Sequence, residues 1–225
     1  MNLLQRPPVH TRRDHVLPAD EHAALLDWAL ANEATLSDSR VGKGQVSGES
    51  RRARSFYGSA EWKRTSVAHI DALLPGILAD LGMAYFRRDG FEIEMVVYGD
   101  GGHIRPHHDT ATGLSRHPHD RVVTIVYHFH REPQGYSGGT LRLLAKVPGV
   151  DGKRAYVDLE PRQNGLIAFP SLAIHEVLPV SVPSGRFEDS RFGINFWAQR
   201  HYRDPAEAPG AVAADPIRAG GAQDQ

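Results

Sequence analysis

Residues 91–98 read FEIEMVVY: Phe91, Ile93, Met95 and Val97 alternate with Glu92, Glu94, Val96 and Tyr98. Side chains two apart share one face of a strand, so this stretch predicts β structure. Before it the apolar spacing is helical. In residues 18–33 (PADEHAALLDWALANE) an early proline, acidic residues in the first turn and a stripe of Leu25, Trp28 and Ala29 predict a helix. Across residues 60–81, Val67, Ile70, Leu74, Ile77, Leu78 and Leu81 recur at helical spacing, with Pro75 expected to kink or divide that helix. After residue 91 strand patterns continue at 121–131, 140–146, 155–159, 165–169, 175–180 and 191–199, separated by turn-rich segments such as QGYSGG and VPGVDGK. Many short strands after two helices predict a mostly β protein with flanking helices. The expected core is an antiparallel, jelly-roll sandwich or barrel buttressed by N-terminal α-helices.

The chain divides on this basis into an N-terminal helical buttress and lid loop (1–90), part of the same domain as a β core (91–202), and a tail (203–225). Residues 37–59 are rich in Gly, Ser and Arg with no sustained period and predict a long mobile loop, a common form for a lid. The tail has no periodic apolar face and is expected to be disordered.

At 225 residues the chain is about one and a half times the commonest domain length, enough for one sizeable core. The 40% hydrophobic and 24% charged composition excludes disorder throughout, collagen and coiled coil. With 26 Lys and Arg against 27 Asp and Glu, the net charge of −1 argues against holding nucleic acid or an anionic membrane mainly by charge. No apolar run approaches the ~20 residues that cross a bilayer, and MNLLQRPPVH at the start lacks the apolar stretch of a secretory signal, so a cytoplasmic protein is expected. The absence of cysteine leaves only His, Asp and Glu to hold a metal.

Histidine is the unusual residue: of thirteen, seven fall between His103 and His130. Two His-x-Asp triplets occur where chance supplies roughly one, so the triplet alone is weak evidence. Residues i and i+2 share a face on a strand but lie about 200° apart on a helix, so only one triplet can chelate. His69 and Asp71 sit within the helical pattern and read as helix surface. His107 and Asp109 follow a Gly-rich turn (YGDGGHIRPHHD) that carries them to a strand end or loop mouth. The third candidate is His175 in GLIAFPSLAIHEVLPV, an apolar strand where an imidazole needs a reason for burial; a satisfied core histidine is the other reading. Two histidines and a carboxylate on one side of a metal leave positions open, the arrangement of non-haem iron(II) oxygenases.

Three motifs in order resemble the 2-oxoglutarate and iron(II)-dependent oxygenase superfamily, in its prolyl-4-hydroxylase-like branch. Tyr98, Gly101, Ile104, His107 and Asp109 follow that branch's Y-x-x-G-x-x-aromatic/aliphatic-x-x-H-x-D run. RVVTIVYHFHREPQGYSGGTLRLL resembles its central strand and the Gly-Gly turn, with Ser137, Gly138 and Gly139 at the turn. His175, Val177, Pro179 and Val180, then Arg191 and Trp197, are similar to its H-x-V-x-P-V and R-x5-W ending. The resemblance covers roughly residues 98–199 and implies a double-stranded β-helix, the jelly-roll, cupin-like core of that superfamily.

It also implies roles. His107, Asp109 and His175 would bind Fe(2+), and 2-oxoglutarate would chelate the metal and be decarboxylated to succinate and CO2 as molecular oxygen hydroxylates a C–H bond. In related halogenases the metal carboxylate is missing, so Asp109 favours hydroxylation. Arg191 would pair with the far carboxylate of 2-oxoglutarate, a task that suits a guanidinium, which stays charged when buried. Asn195 and Trp197 share its strand face and should line the same cavity. His128 stands where the branch usually has a tyrosine; imidazole can still donate to an anion, and a protonated ring would add charge and a pH dependence near neutrality. The alternative is that Tyr127 points inward there. Tyr98 would place its hydroxyl near cosubstrate and iron. L-ascorbate, commonly used in this branch, would rescue oxidised iron.

His103, His108, His117 and His119 read as loop or rim residues. Arg51, Arg52 and Arg54 read as a solvated loop face or as a grip on an acidic or peptide substrate. The expected substrate is peptidyl or amino-acid in nature, prolyl first. The alternatives are a nucleic-acid demethylase of the same superfamily, which typically carries a second arginine at the Trp197 position, and a non-catalytic jelly-roll module that binds a metal or small acid. The oligomeric state is not legible.

Overall fold

A computed structural model describes residues 2–39, 49–110 and 119–201. In chain order the described strands and helices are β1 (Thr11–Asp14), α1 (Ala19–Ala31), β2 (Ser37–Asp38), β3 (Arg51–Arg52), β4 (Arg54–Phe56), α2 (Glu61–Asp80), β5 (Gly90–Tyr98), β6 (His103–His107) and β7 (His119–Phe129). They continue with β8 (Ser137–Gly138), β9 (Leu141–Leu144), β10 (Tyr156–Leu159), β11 (Gly165–Pro170), β12 (Ile174–Val177), β13 (Val180–Ser181) and β14 (Arg191–His201). A major sheet of order β1-β11-β7-β14-β5-β4-β2 faces a minor sheet of order β10-β9-β12-β6-β3, and β13 pairs with β8. All these pairings are antiparallel, so the fold is a jelly-roll flanked by two helices.

The alternation in residues 91–98 sorts β5 between two cores. Met95 and Val97 join Leu25 and Ala29 of α1 and Ile70, Leu74, Ile77 and Leu78 of α2 in one apolar cluster. Val96 and Tyr98 point the other way, into a cluster shared with Leu141 and Leu143 of β9 and Val177 of β12. On β14 the same rule sends Phe192, Ile194 and Phe196 to the helix side. That leaves Arg191, Asn195 and Trp197 between the sheets, where they line one cavity.

Two expectations are corrected, and two strands lie where none was expected. Pro75 does not divide the second helix: α2 runs unbroken through it. Pro75 is exposed, and burial of Ile70, Leu74, Ile77 and Leu78 on the opposite side outweighs the local penalty of proline. Residues 37–59 are not simply a loop, because β2, β3 and β4 lie there. At two or three residues each they are too short to show a period, and they form by pairing with strand edges: β2 with β4, β4 with β5, and β3 with β6. His107 closes a strand, β6, that the Gly-rich turn and Pro106 conceal in the sequence. The edge strand β1, paired with β11, carries no apolar alternation and is likewise invisible. The expectations for the tail and for His117 fall outside the described residues. No described helix is long and apolar enough to cross a membrane.

Candidate active site

The antiparallel pairing of β6 and β12 sets His107 directly opposite His175, and their ring centroids are 4.2 Å apart. Asp109, two residues past β6, is tied down through its backbone N–H, which donates to the Ser171 carbonyl at 2.9 Å. Its two carboxylate oxygens divide between the rings: Oδ1 lies 3.5 Å from His107 Nε2 and Oδ2 3.5 Å from His175 Nε2. One donor atom from each of the three residues falls within 4.8 Å of the others, a spacing suited to bonds of about 2 Å to a single shared ion.

The tautomers follow from the backbone. His107 Nδ1 lies 2.9 Å from the Arg105 carbonyl and His175 Nδ1 3.0 Å from the Ala173 carbonyl. A carbonyl can only accept, so each Nδ1 carries the proton and each Nε2 turns its lone pair toward Asp109. Thr124 of β7 donates its hydroxyl to Asp109 Oδ2 at 2.7 Å and lies 2.9 Å from Ser171 Oγ. Burial opposes ionisation of Asp109, but the neighbouring His175 and His107 and the Trp197 indole outweigh it and hold the carboxyl well below its usual range. Burial pushes His175 down to about 4, so its ring is neutral at pH 7, the state in which imidazole binds metal.

Arg191 opens β14 opposite Tyr98 of β5. It is 1% exposed, with the Tyr98 ring 5.0 Å from its guanidinium carbon. Its Nη2 lies 3.4 Å from His128 Nδ1, while Nε and Nη1 are buried with no partner, as is His128 Nε2. A buried cation with unused donors is costly unless an anion completes it; a dicarboxylate with one end at the three metal-type ligands and the other at Arg191 would do so. Gly139 makes room. It adopts φ +71°, and a Cβ there would sit 2.5 Å from Arg191 Cδ. The donor set and the orphaned guanidinium therefore fit iron(II) and 2-oxoglutarate.

His128, not Tyr127, faces the cavity side. The Tyr127 hydroxyl turns to the opposite face of the sheet, 2.7 Å from His22 Nδ1 and donating to Asn164 Oδ1 at 3.0 Å. Burial and the adjacent Arg191 hold His128 well below its ordinary value, which favours the neutral ring.

Tyr98, His107, Asp109, Thr124, His175 and Arg191 line one cavity of about 970 Å³, together with Val96, Val126, Leu141, Asn195 and Trp197. The arginine run is divided: Arg51 enters the cavity wall, whereas Arg54 pairs with Glu33 outside at 2.8 Å. His103, at the start of β6, bonds through Nδ1 to the Gly101 carbonyl, and His108 stands on the cavity lining; the side chain of His119 is not among those described. Two features escaped the sequence. Arg121 stacks 3.8 Å over Trp197 while Glu92 accepts from its Nε and Nη2. Glu94 is wholly buried. Both acidic residues occupy alternate positions of β5 that look solvent-facing, and the available signal was that β5 lies between two apolar layers.

Residues 93–199 match the sequence profile of the 2OG-Fe(II) oxygenase superfamily. The chain is 33% identical over 130 residues to an uncharacterized PKHD-type hydroxylase of Synechocystis, covering 56% of this chain and 42% of that protein. It thus spans less than half the length of that curated relative. A crystal structure of a Pseudomonas putida prolyl-4-hydroxylase superposes with a TM-score of 0.60 at 27% identity, covering 86% of this chain and 94% of the other. A Trichoplax adhaerens prolyl hydroxylase, solved with a hypoxia inducible factor peptide fragment, gives 0.59 at 16% identity over 84% and 82% of the two chains. Motif order, jelly-roll, His-Asp-His cluster and orphaned arginine agree with these matches: residues 93–199 carry the signature of the 2-oxoglutarate- and iron(II)-dependent oxygenase superfamily.

Proposed function

We propose that this protein is a dioxygenase that hydroxylates a C–H bond of a peptidyl or amino-acid substrate, a prolyl residue first, coupled to decarboxylation of 2-oxoglutarate to succinate and CO2. The observation that carries this reading is the convergence, in one cavity, of the His107, Asp109 and His175 donors with the unpaired guanidinium of Arg191. Bound iron(II) and 2-oxoglutarate would supply the oxygen-activating chemistry of the family. The protein's own contribution is placement. His107, Asp109 and His175 hold the metal from one side and leave positions open. Arg191, with His128 as a neutral neighbour and Tyr98 under its plane, anchors the far carboxylate and fixes the cosubstrate's direction. Val96, Val126 and Leu141 give the cavity an apolar patch. Asn195 and Trp197 wall the same space, and the prolyl assignment draws on the prolyl hydroxylases among the structural neighbours.

The test is anaerobic addition of iron(II) and 2-oxoglutarate, followed by the weak visible charge-transfer band of the chelate and, after oxygen, by succinate. Asp109→Ala or His175→Ala abolishes the band. Arg191→Ala keeps it but weakens 2-oxoglutarate binding about 10- to 100-fold, the size of a lost charge-assisted pair. A normal band in Asp109→Ala would refute the ligand assignment. Comparing cells with and without the protein for products heavier by one oxygen atom identifies the substrate.

A further inference from the structure

The cavity of the metal-type ligands holds a second polar group that the proposed chemistry does not use. Glu94 of β5 is 0% exposed. Its Oε1 accepts from Arg51 Nη2 at 2.6 Å and from Ser55 Oγ at 2.5 Å, and its Oε2 accepts from Asn195 Nδ2 at 2.9 Å. Arg51 comes from β3 of the minor sheet and Glu94 from β5 of the major sheet, so the pair spans the cavity wall. The Arg51 side chain is 9% exposed, and its Nε is buried with no partner. A buried ion pair holds two sheets together no better than apolar side chains of similar volume would. The leftover donor therefore points to a ligand.

The charge state decides which ligand. Glu94 already neutralises Arg51, so the pair presents a dipole without net charge. A neutral acceptor would complete Arg51 Nε, whereas a second carboxylate would add an uncompensated buried negative charge. Asn195 gives one of its two amide N–H groups to Glu94, which is acceptor-only, and this fixes the amide with its carbonyl oxygen left for a donor. Asn195 stands one strand step from Trp197, beside Asp109, within the same cavity.

We propose that Arg51, Glu94 and Asn195 form a charge-neutral subsite that reads an amide group flanking the reacting residue, with the amide carbonyl on Arg51 and the amide N–H on Asn195, and that discriminates against a free carboxylate there. This rests on the hydroxylase reading and narrows it from peptidyl or amino-acid to amide-linked substrates.

The experiment is anaerobic calorimetric titration of the protein, loaded with iron(II) and 2-oxoglutarate, with two probes: N-acetyl-L-proline methylamide and N-acetyl-L-proline. Wild type binds the methylamide about tenfold tighter, the difference expected for one well-made hydrogen bond. Glu94→Gln unmasks the arginine charge and reverses the preference; Arg51→Met, which removes the donor for the amide carbonyl, weakens methylamide binding about tenfold. Should either single variant fail to fold, the Arg51→Met/Glu94→Gln double variant, which leaves no unpaired charge, binds both probes alike. The inference is overturned if wild type binds the probes equally, prefers the carboxylate or binds neither while still forming the coloured chelate, or if Glu94→Gln keeps the wild-type preference. A wild type that forms no chelate overturns the hydroxylase reading instead.

Discussion

Asp109 is the residue on which the metal site turns, because both imidazoles lean on it through different oxygens. Its orientation is set by Thr124, whose hydroxyl donates to Oδ2 while sharing Ser171. Outer partners of this kind typically tune metal affinity 10- to 100-fold. Thr124→Val, close in shape but without the donor, therefore weakens iron(II) binding by about that range in an anaerobic titration, and Thr124→Ser restores it. An unchanged affinity would mean that the backbone bond from Asp109 to Ser171 orients the carboxylate alone. His107 and Asp109 stood out in the sequence because strand periodicity tells which of two His-x-Asp triplets can chelate; His175 had a second reading as a core histidine, and Arg191 came from the resemblance to the R-x5-W ending. Thr124 and Glu94 did not stand out, and Arg51 did so only as one of a run read as a solvated loop face or a substrate grip. A polar side chain at alternate positions of a strand looks the same whether it faces solvent or a cavity, and only the second sheet tells the two apart.

The long elements could be read from spacing, since β5, β7, β14, α1 and α2 each bury a face over enough residues for a period to emerge. The short ones could not. β2, β3 and β4 exist because β5 and β6 offer free edges, information that resides in other parts of the chain. Pro75 is the reverse case, a clear local signal overruled by packing. It lies on the exposed side of α2, so Pro75→Ala removes little contact and restores a backbone N–H to the helix ladder. A proline in a helix interior costs about 3 kcal/mol relative to alanine, and the extra freedom that alanine gives the unfolded chain takes back roughly 1 kcal/mol. Pro75→Ala is thus expected to stabilise the fold by about 1–2 kcal/mol, measured as a raised denaturation midpoint with an unchanged slope. A destabilised variant would show that the ring has contacts that outweigh the lost hydrogen bond.

At the scale of the molecule, the candidate site belongs to neither sheet. His107 and His175 come from the minor sheet, Thr124 and Arg191 from the major one, and Asp109 lies between. The unfolded chain holds these groups far apart, so iron(II) and 2-oxoglutarate bind the folded state and stabilise it by linkage. Each ligand at about 100 times its Kd contributes about 2.7 kcal/mol, and for a chain of this size each kcal/mol raises Tm by about 2–4 °C. Iron(II) alone should raise the anaerobic melting temperature by about 5–10 °C, 2-oxoglutarate should add a further rise only when iron is present, and a chelator should reverse both. The variants separate the two contributions. Asp109→Ala loses the iron-dependent rise and, with it, the cosubstrate's. Arg191→Ala keeps the first and loses most of the second, because the metal still holds one end of the dicarboxylate while the guanidinium that closes the other end is gone. If 2-oxoglutarate raised Tm equally in Arg191→Ala and wild type, the far carboxylate would have to rest on another cation, and the orphaned donors of Arg191 would need a different anion.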